Sequence, residues 1–328
     1  MPTYPGISSE AFRHPLDRQA EQTLRSVPGF DLVASKFVEY LTERPQFVYQ
    51  LGNSIQVGPR QYASIHQIFR ECVRDLDIYP EPNLFVSQSP TVNAFALGRD
   101  FPFIVLNSGL LDLVSEAELR TVIAHELGHL KCEHTILIQM AIWTTQVVSG
   151  LADRTFGLST LVSTGLVAAF FEWLRKAELS ADRAALLVTD DLQPILTNMM
   201  RIAGGSSKYA HELSVDEFIQ QADRYQNLDA DGLNQVYKFL LYNNLSAGVF
   251  LSHPFTVERV HFLREWSVSH DYRQIRQGNY ARAGAKGSVE VPVEPPTAAQ
   301  PQKQTEVDAL RQEIDQLQQE IDRIKKGS

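Results

Sequence analysis

The chain has 328 residues, of which 44% are hydrophobic and 21% charged, and a formal net charge of −9. That is enough apolar residue to bury one substantial core with room for an appendage, and the acidic balance excludes nucleic acid as an expected partner. Two cysteines, Cys72 and Cys132, exclude a disulfide framework, and residues 1–19 carry early charges without an apolar run, which excludes a secretory signal. The expected compartment is a reducing cytoplasm, with peripheral or membrane association as the variant.

In chain order, residues 15–79 read as a helical N-terminal part. Residues 17–27 form a short helix stopped by Pro28-Gly29. Phe30, Val33, Phe37 and Leu41 recur at helical spacing, and that helix is expected to end before Pro45. Tyr62, Ile65, Phe69, Cys72, Val73 and Leu76 mark another helix, with His66 read as a core histidine beside its apolar face. From Pro80 the pattern changes. Residues 84–86, 92–97 and 103–106 are short β-prone runs broken by Pro and Gly, so a sheet of three strands or little more is expected.

Residues 121–132 read TVIAHELGHLKC and contain the HExxH pattern as His125-Glu126-Leu127-Gly128-His129. On a helix the two histidines project from one face a turn apart and can grip one Zn²⁺, while Glu126 beside them can take a proton from water. Ser115 and Glu118 form an S-x-x-E capping box ahead of this run. The bland alternative is a helix with two surface histidines. Cys132 reads as a small buried apolar group. A catalytic zinc takes three protein ligands, and residues 172–188, EWLRKAELSADRAALLV, offer a candidate. They form a second helix with a small-residue face, on which Glu178 can complete a His₂Glu site and Asp182 can orient a ligand histidine. The competing reading is a solvated acidic face.

Residues 135–152 and 155–171 are two uncharged stretches separated by Asp153 and Arg154. Thr135, Gln139, Gln146, Ser149 and Asp153 draw a polar stripe, which favours a protein-buried or surface-lying helical hairpin; membrane insertion of 135–171 is the alternative. His134, nine residues after His125, falls on the opposite helix face and is not read as a ligand. Helices are expected at 192–202, 215–225 and 233–241, with Asp229 and Asp231 in a helix-capping turn. Residues 255–266, carrying Arg259 and His261, read as the last helix of a body spanning 1–282, whose catalytic core is 80–270. Residues 283–304 read as a flexible Pro/Gly/Ala-rich linker. In 305–326, Val307, Leu310, Ile314, Leu317, Ile321 and Ile324 make three heptads of a coiled coil, expected to pair as a parallel homodimer.

HELGH followed by Ala177-Glu178-Leu179-Ser180-Ala181-Asp182 resembles the gluzincin zinc metallopeptidases of the HtpX and CAAX-prenyl-protease family. Asn93-Ala94-Phe95-Ala96, then Ser108-Gly109-Leu110-Leu111, resemble that family's NAFA and SGLL elements, and His253-Pro254 with Arg259 resembles its late HP-x4-R motif. The resemblance implies His125, His129 and Glu178 as ligands of one Zn²⁺ and Glu126 as general base. It implies Asp182 and Arg259 as supports behind them, His253 near the metal as transition-state stabiliser or gating ligand, and Asn93, Ala94, Phe95 and Ala96 as the strand that pairs with the substrate backbone. The expected fold is α+β and predominantly helical. The expected function is a zinc metalloendopeptidase acting on protein or peptide substrates in proteolysis or protein quality control. The chain departs from membrane members in lacking convincing transmembrane helices. A non-catalytic adaptor with a coiled-coil arm and a membrane-bound prenyl-protein processing protease are the other readings.

Overall fold

A computed structural model describes residues 2–40, 44–151, 158–229, 243–244, 249–250 and 255–284. The helix expected at 233–241, His253, the turn at Asp231, nearly all of the linker and the coiled coil at 305–326 lie outside these residues. The elements run α1 (Pro15–Ser26), α2 (Phe30–Tyr40), α3 (Arg44–Asn53), β1 (Ile55–Gln56), α4 (Ala63–Asp75), β2 (Asn83–Ser87), β3 (Ala94–Leu97) and β4 (Phe103–Asn107). They continue with α5 (Ser108–Leu111), α6 (Glu116–Lys131), α7 (His134–Leu151), α8 (Leu158–Thr189), α9 (Leu192–Gly204) and α10 (Val215–Asp229). The last are β5 (Asn243–Asn244), β6 (Val249–Phe250), α11 (Thr256–Ser267) and α12 (His270–Arg276). The described residues are thus mostly helical, with a two-stranded antiparallel β5-β6 pair and a four-stranded sheet.

That sheet has the order β1-β2-β4-β3, with β2 parallel to β4 and β3 antiparallel to it, so β3 is an edge. Alternation along the strands sends Leu84, Val86, Ala96, Ile104 and Leu106 to the main core, where α6 covers them. Phe85, Phe103 and Val105 face the other way, under Phe47, Phe95 and Leu97.

The helix α8 spans 32 residues and joins two cores. Its C-terminal half, from Ala184 to Val188, belongs to the main core with α6, α9 and α11. Its N-terminal half, through Leu166, Phe170, Trp173 and Leu174, packs with Leu24 of α1, Phe30 and Phe37 of α2, and Leu137 and Met140 of α7.

Several expectations are corrected here. The helix marked by Phe30, Val33 and Phe37 does end before Pro45, but Pro45 itself opens no loop: it lies in the first turn of α3, as its fixed φ and missing N–H permit. The two-residue β1 adds a fourth strand. His66 is half-buried rather than core. The second half of the 135–171 hairpin and the acidic helix are one continuous α8. Its Val167 and Phe170 are 2% and 0% exposed, because α1, α2 and α7 cover that side. Phe170 therefore fills a core and is no membrane anchor. Among the described residues no helix is long and apolar enough to cross a membrane. A short helix, α12, follows the one expected to be last.

Candidate metal centre

The helix that carries the HExxH pattern begins where the capping box places it. Ser115 N–H donates to Glu118 Oε2 at 2.6 Å, and the Ser115 hydroxyl accepts from the Glu118 N–H. What brings it against α8 is Gly128. A Cβ at that position would lie 2.7 Å from Ala184 Cβ and 3.0 Å from Ala181 Cα, so the helices touch only because all three side chains are minimal. A mid-helix glycine costs about 1 kcal/mol relative to alanine, and close approach is what offsets that cost here.

The contact sets three donor side chains face to face. His125 Nε2 lies 3.3 Å from Glu178 Oε2, and His129 Nε2 lies 3.3 Å from Glu178 Oε1. One donor atom from each of the three falls within 4.8 Å of the others, the spacing of groups that share a single ion. Two neutral imidazole nitrogens and a carboxylate suit zinc. The groups are withdrawn from solvent, with His129 4% and Glu178 2% exposed.

Each histidine is held from behind. His125 Nδ1 is 3.0 Å from Asp182 Oδ1. Arg259, from α11, grips Asp182 with Nε at 2.8 Å and Nη2 at 2.6 Å, and sets Nη1 at 3.4 Å from Glu178 Oε2. Burial alone pushes the His125 pKa down, but Asp182 and Glu178 outweigh it and raise it to about 10. Burial would raise the Asp182 carboxyl, yet Arg259 and His125 hold it below its ordinary range. Without a metal, then, His125 draws in a proton to sit between two carboxylates. A site that recruits a positive charge at that point is a fit for a divalent cation.

Glu126, 7% exposed, lines a cleft of about 200 Å³ that opens over His125 and Glu178. Asn93 and Ala94 line the same cleft from the β3 edge, and Leu110, Val122, Ile195 and Met199 give it an apolar wall. Phe95 and Ala96 do not line it. They pack into the far-face and main cores respectively. The structure thus gathers His125, His129, Glu178, Asp182, Arg259, Glu126, Asn93 and Ala94 at one place.

One neighbour was missed. His134 Nδ1 sits 3.1 Å from His129 Nδ1. Placing it on the opposite face assumed a continuous helix, but α6 ends at Lys131 and Glu133 adopts a left-handed φ of 57°, which turns the chain back. The residue pattern carries no signal for that break; neither Gly nor Pro marks it.

Comparison with known proteins agrees with this geometry. Residues 59–267 match the model of peptidase family M48. The plastoglobule-localized metallopeptidase 48, chloroplastic, of Arabidopsis thaliana is 34% identical over 286 residues, covering 87% of this chain and 79% of its own length. A protease HtpX homolog of Dictyoglomus turgidum is 26% identical over 250 residues, covering 66% of this chain and 77% of its own, and one from Methylibium petroleiphilum is 23% identical over 239 residues, covering 66% and 78%. No solved structure matches the chain. The chain belongs to peptidase family M48 and is an HtpX-like zinc metalloprotease.

Proposed function

We propose that the protein is a zinc metalloendopeptidase with a gluzincin body, its zinc held by His125 Nε2, His129 Nε2 and a carboxylate oxygen of Glu178. The observation that carries this reading is the convergence of those three donors beside Glu126 in a cleft bordered by an edge strand. Zinc bound there would supply a Lewis acid for the scissile carbonyl and for the attacking water. Glu126 takes that water's proton and delivers it to the leaving amine. Arg259 ties Glu178 and Asp182 together, so neither carboxylate swings into the cleft. The open side of β3 offers backbone groups at Ala94 to an extended peptide, while the Asn93 carbonyl is turned inward and accepts from the Asn107 N–H at 3.0 Å. The apolar wall favours substrates with an apolar side chain beside the scissile bond. His253, in the His253-Pro254 motif, is assigned the developing oxyanion.

Glu126→Gln tests the mechanism. The amide keeps the shape but has no usable basicity. Peptide hydrolysis should fall by roughly 10²–10⁴-fold with zinc content unchanged. Near-normal turnover would remove Glu126 from its role. Pairing of 305–326 as a parallel coiled coil is a separate proposal. Sedimentation of the full chain should give a dimer where a chain ending at Ala285 gives a monomer, and equal monomer masses would reject it.

A further inference from the structure

Behind His129 lies a buried chain of polar contacts that reaches outside the M48 match. His134 Nε2 is 3.1 Å from Asp17 Oδ2, and its Nδ1 is the atom that meets His129. Asp17, on α1, is fully buried and takes four further hydrogen bonds. Arg13 donates from Nε at 2.8 Å and from Nη2 at 3.1 Å, Ser180 Oγ donates at 2.7 Å, and Trp173 Nε1 donates at 3.2 Å. The Ser180 oxygen itself accepts from the His14 N–H at 2.9 Å, which leaves its proton for Asp17. His134 is 1% exposed, so water does not substitute in this chain.

The proton positions follow from the contacts. A neutral His129 that offers Nε2 to a metal must carry its proton on Nδ1. The partner of that proton is His134 Nδ1, which must accept it. The His134 proton then stands on Nε2 and donates to Asp17. A single tautomer of each ring satisfies every contact.

We infer that His134 and Asp17 are positioning residues of the metal centre, an imidazole–carboxylate relay that locks His129 in the tautomer and orientation presenting Nε2. The inference rests on the zinc reading proposed above. The two histidines are thus held by unlike devices. His125 is backed directly by a carboxylate from the matched region. His129 is backed through a second imidazole by a carboxylate from α1, which precedes residue 59 where the match begins. The N-terminal helix is by this account part of the metal site.

The test is zinc affinity of the full chain, measured by competition with a chromophoric chelator, together with the visible spectrum of the Co²⁺-substituted protein. His134→Leu should weaken zinc binding about 10–100-fold, as loss of a ligand's hydrogen-bond partner does. It should also shift the Co²⁺ bands. His134→Asn should recover most of the affinity and the native spectrum, because its Oδ1 can stand where Nδ1 did and accept from His129. Asp17→Asn, which keeps the size of the side chain, should weaken zinc binding by a smaller factor, and it serves if His134→Leu does not fold. Native affinity and spectrum in the folded His134→Leu chain, or in Asp17→Asn where the former fails to fold, would overturn the relay. So would His134→Asn binding as weakly as His134→Leu, since a packing role alone predicts no rescue. A wild-type chain that holds no zinc would instead overturn the site reading itself.

Discussion

The two halves of α8 solve opposite packing problems. The C-terminal half is lined with Ala181, Ala184 and Ala185, and it lies so close to α6 that a single methyl on Gly128 would clash. The N-terminal half carries Phe170 and Trp173, both fully buried, and fills the space between α1, α2 and α7 with large side chains. Glu178 and Asp182 sit where one mode gives way to the other. Bulk supplies stability, while the absence of bulk supplies the reach that sets Glu178 against two histidines. The same helix that reads as a membrane candidate at one end buries Leu166, Val167 and Phe170 there.

A paired substitution breaks this comparison most sharply. Phe170→Ala should destabilise the fold by about 3–5 kcal/mol through the cavity it leaves, with the zinc affinity of the folded fraction unchanged. Gly128→Ala should cost less stability, about 1–3 kcal/mol of overpacking partly offset by better helix propensity, yet weaken zinc binding by roughly tenfold as α6 and α8 part. Adding Ala184→Gly should return part of that affinity by removing the 2.7 Å contact. Thermal unfolding of chelator-treated protein and chelator competition separate the two effects. Equal effects of both substitutions on zinc would show that the division of labour is wrong.

A smaller effect is set by pH. In the metal-free protein His125 holds its proton up to about pH 10, against 6.5 for an ordinary histidine. A raised pKa in the folded state means that this proton stabilises the metal-free fold fully below pH 6.5, and that the contribution is lost as pH rises through 10. Zinc must displace the same proton. Apparent zinc affinity should therefore rise by about tenfold per pH unit between pH 6 and 8, with proton release detectable by calorimetry in buffers of different ionisation enthalpy. A flat profile would mean that His125 is already neutral.

Much of the site was legible because its residues lie on two regular helices. HExxH needs only the α-helical period, and Glu178 with Asp182 needs the same period once more. The capping box is likewise a four-residue pattern. Other features depend on contacts that no local window contains. Gly128 looks like an ordinary loss of helix propensity until Ala184 is seen against it. His134 is misplaced by any count that runs α6 onward, because the break rests on Glu133 in a left-handed conformation that side chains rarely adopt. Asp17 lies 117 residues from His134, and nothing in the residues of α1 marks it as part of a metal site. The two residues of β1 are too few to show an alternation.

The most direct measurement is zinc content by atomic absorption on purified wild type and on His125→Ala, His129→Ala and Glu178→Ala. The account predicts one zinc per wild-type chain and its loss from each variant, with a folded far-ultraviolet spectrum in all four. Zinc retained at full stoichiometry by any of the three variants, or missing from the wild type, would contradict it.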